Sequence, residues 1–261
     1  IIPLETPWHS FVGGVYMDEF AEMHLKELLV REKIARILPS AGTSTAFWLS
    51  SLRKLDEGNT GQIFNPKSLT EDYEIGIKFG KLGLRQIMLI QWVERVVTKE
   101  GKPKPRKVKE LVATRAFFLT EFKKAMRQRA RWVYGIAWQG LKNVGWDRRL
   151  KVNYSLMRDR ISFFANFLYA FGYLLILYLL TVFVVHLFRP DFMIPPLVRA
   201  DEIWWKLALV VLFFFFWRIV MRFIFVNKIY GAGRALLTPI RIVVGNVLNF
   251  ASSGLAMLWL I

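Results

Sequence analysis

The chain has 261 residues, of which 54% are hydrophobic, and a formal net charge of +17. This combination is unusual for a soluble enzyme. It is typical of a protein whose apolar part faces lipid while its basic part faces anionic headgroups. The chain has no cysteine, which excludes disulfide bonds and cysteine-ligated metal sites, and its three histidines are too scattered to suggest a metal cluster.

The charge is unevenly distributed along the chain. Residues 1–98 carry 11 Lys and Arg against 12 Asp and Glu, whereas residues 99–160 carry 18 against 5. Only 11 charged residues follow, and long hydrophobic runs dominate there. This order predicts a water-facing domain over 1–145, a basic juxtamembrane segment over 146–160, and membrane helices after that.

The first predicted element is a helix over residues 16–38, where the spacing and composition of the side chains favour a helix. Pro39 should end it, because proline cannot continue a helix. The small residues of the next stretch, 40–47, predict a short strand or a tight turn.

A second helix is predicted to begin near Thr70 and to end at Gly80 or Gly83. Residues 84–97 are rich in apolar and β-branched side chains, which predicts a buried strand. The basic stretch over 99–110 has two prolines and no periodicity, which predicts a loop. No aromatic residue interleaves its basic residues, so a linker is favoured there over a nucleic-acid site.

A long helix predicted over 117–141 leads to the membrane part. The 28 residues between Arg160 and Arg189 carry no charge, enough for one span of about 20 residues. A second apolar run begins at residue 203 and ends near Arg218 and Arg222, whose side chains can reach the headgroups.

These two runs predict a transmembrane hairpin over 161–226. The connecting loop over 189–203 and the entry to the second span carry three basic residues, against six and five on the two flanks of the hairpin. The positive-inside rule therefore places residues 1–160 in the cytoplasm and the loop outside.

The last segment, 227–261, carries a polar or small residue at every third or fourth position. Such a stripe predicts an amphipathic helix lying in the membrane interface, because exposed polar side chains are unfavourable in hydrocarbon. A third span whose stripe packs against protein is the alternative. The stripe consists of Arg234, Thr238, Arg241, Gly245, Asn249 and Ser252.

The first candidate chemical motif is Thr70-Glu71-Asp72. Its simplest interpretation is structural: Ser68 and Glu71 have the spacing of a capping box, and carboxylates in a first turn complement the helix dipole. The same placement keeps a carboxylate ionised, as a general base requires.

The second motif is Gln128, Arg131 and Trp132, at positions i, i+3 and i+4 of one helix face. An amide, a guanidinium and an indole on one face can hold a sugar hydroxyl, a phosphate and the face of a sugar ring. A basic amphipathic helix lying on the membrane is the alternative. Arg129 lies on another face of this helix and is expected to matter less.

A Thr-Glu-Asp tripeptide, a Gln-x-x-Arg-Trp pentapeptide about 55 residues later, and then membrane spans occur in this order. The chain thereby resembles family-2 glycosyltransferases of the cellulose, hyaluronan and poly-N-acetylglucosamine synthase type. Within them it looks closest to the phage adsorption protein B group of bacterial inner-membrane transferases. The strings that carry the resemblance are 16–22, 40–42, 69–74 and 127–135, with 246–250 as a further candidate.

The resemblance implies an α/β fold: the carboxyl-terminal half of a GT-A, Rossmann-like domain, followed by the hairpin and the amphipathic helix. It implies that Asp72, beside Glu71, removes a proton from the acceptor in an inverting reaction. Gln128, Arg131, Trp132 and Thr70 would then bind the acceptor sugar and the diphosphate.

The resemblance also implies a divalent metal, Mg²⁺ or Mn²⁺, held by upstream aspartates in an Asp-x-Asp motif. That motif is absent from this sequence, so we expect the chain to be part of a longer protein. Asp18 and Glu19 lack its spacing.

The implied partners are a UDP-linked or other nucleotide sugar, a glycan or lipid-linked acceptor, membrane lipids and polysaccharide export proteins, at the bacterial inner membrane. A non-catalytic membrane receptor or assembly subunit that has kept a degenerate transferase fold is the rival hypothesis. A small transporter is disfavoured, because no charged residue lies mid-span.

Overall fold

The computed structural model describes residues 1–56, 61–97, 106–191 and 203–260. Helices dominate these ranges, and their strands form two separate pairs. The paired strands are β1 (Ile2–Pro3) with β4 (Arg115–Ala116), in parallel, and β2 (Trp92–Val97) with β3 (Arg106–Leu111), antiparallel. The arrangement as half of a GT-A domain therefore stays a prediction.

The first helix is longer at its start than the sequence predicts. It comprises α1 (Phe11–Glu22), a wider π-helical turn (Met23–Glu27) and α2 (Leu28–Ala35). It begins five residues earlier than expected because the Ser10 side chain accepts a hydrogen bond at its start. It ends before Pro39 because Arg36 adopts a left-handed conformation.

The region after this helix is irregular. Residues 40–47 form a turn rather than a strand, and a short helix follows, α3 (Leu49–Leu55). The second predicted helix is confirmed as α4 (Glu71–Lys81), with Thr70 as its N-cap residue. Gly83, with a positive φ of 73°, lies just beyond its end.

The buried strand predicted over 84–97 is wrong in length and in burial. Only β2 forms there, and the apolar side chains before it are open, with Leu89 78% exposed. The loop predicted over 99–110 is wrong for its last part, which forms β3; residues 98–105 lie outside the described residues. Basic side chains form a strand here because β2 offers an unpaired edge.

The predicted helix over 117–141 is confirmed with shifted ends. It comprises α5 (Phe122–Val133), a second π-helical turn (Tyr134–Gln139) and α6 (Gly140–Val144). It begins later than predicted because β4, just before it, holds the backbone extended against β1.

The two predicted membrane runs lie in α7 (Leu150–Phe188) and α8 (Ile203–Tyr230). Most of the predicted juxtamembrane segment, 146–160, belongs to the same helix as the first span. Residues 192–202 of the predicted loop lie outside the described residues. The short helix α9 (Ala232–Ala235) and then α10 (Thr238–Leu258) complete the chain.

Three helices are long and apolar enough to cross a membrane in the part of the chain that the structure describes. They are Leu150–Phe188, Lys206–Tyr230 and Thr238–Leu258. The apolar side chains of α7 and α8 are largely exposed along their middle sections, as expected of surfaces that face lipid. Arg222 does not reach for headgroups as predicted, because it is buried in an ion pair with Glu22.

The polar stripe of α10 faces protein. Arg234, Thr238, Arg241 and Ser252 are buried, whereas apolar residues on the other face, such as Val247 (47% exposed), are open. The stripe packs on α1, α5 and α7. The alternative of a protein-packed stripe therefore describes the contacts better than a stripe facing headgroups, because buried ion pairs satisfy these side chains.

Candidate active site

The first candidate motif forms the start of α4. Asp72 is half-buried in the first turn and lies against Gly42, where a Cβ would be 3.2 Å from its Oδ2. Gly42 has a φ of +72°, which favours glycine, so this close approach is built into the 40–47 turn.

Burial raises the pKa of Asp72, and the adjacent negative charge of Glu71 adds to the rise. The backbone N–H of Tyr73, 2.7 Å from Asp72 Oδ1, opposes it. The dipole of α4 acts in the same direction as this hydrogen bond, because it favours the ionised carboxylate. A raised pKa suits a general base, which is most effective when its pKa lies near the working pH.

The capping box predicted between Ser68 and Glu71 does not form. Thr70, rather than Ser68, occupies the N-cap position, and Ser68 Oγ accepts from the Thr70 N–H, at 3.4 Å. Glu71 is exposed in the first turn. Of the two structural roles considered for this motif, only the favourable interaction of its carboxylates with the helix dipole remains.

Thr70 lies in the contact between the two motifs. It is 5% exposed and packs against Gly135, in the π-helical turn that follows Trp132. Close by, the Leu69 N–H donates to Gln139 Oε1 at 2.8 Å. The start of α4 and the turn after the second motif are thus in direct contact, while the role of Thr70 in substrate binding stays a prediction.

This contact makes Gly135 a sensitive position. A Cβ there would lie 2.5 Å from Thr70 Oγ1, so Gly135→Ala should push the start of α4 away and destabilise the fold by about 1–3 kcal/mol. The shift of the thermal unfolding midpoint measures this. Gly172→Ala, where nothing lies within 4 Å, is the control and should leave the midpoint unchanged or raise it. Equal midpoints in the two variants would contradict the contact.

Two residues of the second motif pack on α1. The Tyr16 hydroxyl donates to Gln128 Oε1 at 3.0 Å, and the Trp132 ring lies edge-on to Tyr16, with centroids 6.2 Å apart. Phe20 and Phe118 complete this aromatic cluster. Gln128 and Trp132 are both partly exposed, so each keeps a surface on which a ligand can bind.

The two arginines of this motif have different surroundings. Arg131 is exposed, as expected of a residue that receives a phosphate. Arg129 is 6% exposed, and its Nη1 lies 2.7 Å from Glu19 Oε2 and 2.7 Å from Asn249 Oδ1. Loss of Arg129 should therefore destabilise the fold, because it would leave Glu19 without its ion-pair partner. That Arg129 matters less than Arg131 for activity stays a prediction.

Sequence reasoning missed a set of buried ion pairs between α1 and the last two long helices. Asp18 pairs with Arg241 at 2.8 Å, and Glu22 pairs with Arg222 at 2.8 Å. Burial raises the pKa of Asp18 to about 6, against the opposing charge of Arg241. The only sequence signal was the acidic run in α1 opposite the arginines of the polar stripe.

The described residues do not fit the divalent metal that the resemblance implies. They contain no group of three or more His, Asp or Glu side chains that could hold a cation. Three acids of α1, Asp18, Glu19 and Glu22, are each paired with arginine. We therefore derive no step through a metal.

A groove of about 780 Å³ lies beside the 40–47 turn. Its walls are formed mainly by apolar and small residues of 38–48, 84–90 and 111–114. Neither Asp72 nor any residue of the second motif lines it, so the groove is not part of the candidate chemistry.

Comparison with known proteins agrees with the two motifs. The family model described as Glycosyl transferase family group 2 matches residues 1–221. The chain is 32% identical over 265 aligned residues to bacteriophage adsorption protein B of Escherichia coli strain K12 and, equally, to bacteriophage N4 adsorption protein B of Escherichia coli O157:H7.

Each alignment covers 98% of this chain but 35% of the relative, so the chain spans only that share of the length of these curated relatives. No solved structure matches the chain. The family match extends over most of the sequence and includes both motifs and α7. The chain therefore belongs to glycosyl transferase family group 2.

Proposed function

We propose that this chain forms the acceptor side of an inverting glycosyltransferase. The enzyme would move a sugar from a nucleotide sugar, UDP-linked by preference, to a glycan or lipid-linked acceptor at the cytoplasmic face of the bacterial inner membrane. The observation that supports this best is the contact of residues 67–70 with 135–139. That contact holds the acidic tripeptide beside the helix that carries Gln128, Arg131 and Trp132.

In the proposed reaction, the Asp72 carboxylate takes the proton of an acceptor hydroxyl as its oxygen attacks the anomeric carbon. The new carbon–oxygen bond forms on the face opposite the bond between the anomeric carbon and the diphosphate. That bond breaks, and the diphosphate leaves with its electron pair. The anomeric configuration is therefore inverted. The raised pKa of Asp72 strengthens it as a base at neutral pH.

The second motif supplies binding in this proposal. The Arg131 guanidinium can bind two diphosphate oxygens at once, and Trp132 can stack on the acceptor sugar. Gln128 can donate its amide N–H to a sugar hydroxyl, because Tyr16 already occupies its oxygen. The exposed apolar surfaces of α7 and α8 suit a membrane enzyme of exopolysaccharide synthesis, working with export proteins.

The direct test is release of nucleoside diphosphate by the full-length protein in native membranes, with a panel of nucleotide sugars. We expect release with one donor or a few related donors, and no release after Arg131→Ala. Absence of release with every donor, from protein that is folded and membrane-inserted, would remove the enzymatic proposal.

A non-catalytic receptor is the second candidate, favoured by the name of the relatives, which are adsorption proteins. The two proposals differ in which residues of the chain must face the cytoplasm. Nucleotide sugars are cytoplasmic, so an enzyme must keep Asp72 and Arg131 on that side, whereas a receptor need not.

Cysteine labelling tests this requirement of the enzyme in the full-length protein, with any cysteine outside this chain replaced by serine; the chain itself has no native cysteine. We expect Lys107→Cys, at an exposed position of β3, to react with a membrane-impermeant thiol reagent only after lysis. Asp191→Cys, just beyond α7, should react in intact cells with a permeabilised outer membrane. Labelling of Lys107→Cys from outside would place the motifs in the wrong compartment for a transferase.

A further inference from the structure

Tyr16 of α1 lies behind the second motif and is fully buried. Its hydroxyl donates to Gln128 Oε1 at 3.0 Å, and its ring meets the Trp132 ring edge-on, with centroids 6.2 Å apart. One side chain thus contacts both residues that would hold the acceptor sugar, on the sides that face away from solvent.

The hydrogen bond to Tyr16 fixes which way the Gln128 amide points. An amide has one oxygen that accepts and one NH₂ group that donates. Because the oxygen receives the Tyr16 hydroxyl, the NH₂ group remains available to a sugar hydroxyl. The edge-on ring contact likewise limits rotation of the Trp132 ring on the side that faces α1.

Tyr16 is itself held in place from behind. The Arg129 guanidinium lies over its ring, 4.4 Å from the centroid. Arg129 is fixed in turn by Glu19 of α1 and by Asn249 of α10, both at 2.7 Å from its Nη1. The contacts therefore run from α10 through Arg129 to Tyr16, and from there to Gln128 and Trp132.

We propose that Tyr16 is a positioning residue that sets the Gln128 amide and the Trp132 ring for the acceptor sugar. This deepens the proposed function and rests on it. Tyr16 does not touch the reacting atoms in this proposal. It acts through Gln128 and Trp132, so its loss weakens acceptor binding while leaving the chemical step and donor binding largely intact.

The test is Tyr16→Phe in the full-length protein, reconstituted with native lipids. This variant removes the hydroxyl and keeps the buried ring. The donor is the nucleotide sugar that the wild type turns over fastest, and the acceptor is the glycan extract of wild-type membranes, titrated as sugar equivalents. We expect the acceptor KM to rise about 3–10-fold, the effect of one hydrogen bond. Donor KM and kcat should stay within about twofold.

Tyr230→Phe is the matched control, since the Tyr230 hydroxyl also donates a hydrogen bond, to the Pro3 carbonyl at 2.7 Å, outside the motif. All three kinetic constants should match the wild type. In a Gln128→Ala background, adding Tyr16→Phe should change the acceptor KM by less than about twofold, because its partner is already gone.

Two outcomes would overturn the proposal while leaving the enzyme standing: an unchanged acceptor KM in Tyr16→Phe, whether or not kcat falls, or the full effect persisting in Gln128→Ala. A wild type that releases no nucleoside diphosphate from any donor would instead remove the proposed function, and this inference with it. The two failures are therefore distinct.

Discussion

Asp72→Asn should lower transfer by about 10²–10⁴-fold, the typical contribution of a general base. Asparagine fills the same space against Gly42, so the fold and the contact of α4 with the turn after Trp132 should be retained. What is lost is the ability to take the acceptor proton. Nucleoside diphosphate release and label incorporation by the full-length protein measure the loss, and a thermal melt checks the fold.

Glu94→Gln is the control for this change of carboxylate to amide. Glu94 is 71% exposed and faces Lys107 at 3.8 Å, so its variant should keep wild-type activity. Near-normal turnover in Asp72→Asn would show that Asp72 is not the general base and that it only stabilises the start of α4 through the helix dipole.

The pH profile tests the same assignment without removing the base. Only ionised Asp72 can accept a proton, so kcat/KM should fall as the pH falls through the pKa of Asp72. Because burial and Glu71 raise that pKa, the fall should lie above the range of an ordinary aspartate. Glu71→Gln removes a raising charge, so the acid limb should then move to lower pH. If the acid limb does not move in Glu71→Gln, the group that titrates in the profile is not Asp72 beside Glu71.

The second large effect is expected at the ion pair between Asp18 and Arg241. Asp18 is 0% and Arg241 is 2% exposed, with Asp18 Oδ1 2.8 Å from Arg241 Nη2. Arg241→Met leaves a buried carboxylate without its cation, which should destabilise the fold by about 3–5 kcal/mol. The unfolding midpoint of the purified protein in detergent measures this loss.

Two further variants isolate the cause of the loss. Lys107→Met breaks an exposed pair and should cost only about 0–1 kcal/mol. Asp18→Leu combined with Arg241→Met removes both charges and should recover part of the stability. The Arg241→Met loss should also be smaller at about pH 5 than at about pH 8, because the unpaired Asp18 is protonated in the folded state at the lower pH. A double variant as unstable as Arg241→Met would point to lost packing instead.

The sequence predicts those parts of the fold that local patterns determine. Helix α4 begins where Thr70 and two carboxylates signal a start, and α7 includes the uncharged run before Arg189. The two motifs stand out by their residue types and their order, through the resemblance to family-2 glycosyltransferases. Each of these signals lies within a few neighbouring residues.

The misses concern partners that are distant in sequence. A polar stripe has the same period whether it faces water or protein. The orientation of α10 therefore depends on its hydrogen bonds to Asp18 and Glu19 of α1, which the sequence does not show. The strand β3 forms in a basic segment only because β2 lies beside it. The helix period places Arg129 on a different face from Arg131, but the sequence does not show that this face contacts Glu19 of α1 and Asn249 of α10.

The buried ion pairs also impose an order on biogenesis. The arginines that neutralise α1 are 200 and 223 residues further along the chain. At a synthesis rate of about 5–20 residues per second, they leave the ribosome roughly 10–45 s after their partners. Until then Asp18 and Glu22 must stay hydrated, whereas Glu19 can already pair with Arg129, which still lacks its contact with Asn249. The burial of Asp18 and Glu22 and the fixing of Arg129 are therefore coupled to the synthesis of α8 and α10, the helices that carry their partners.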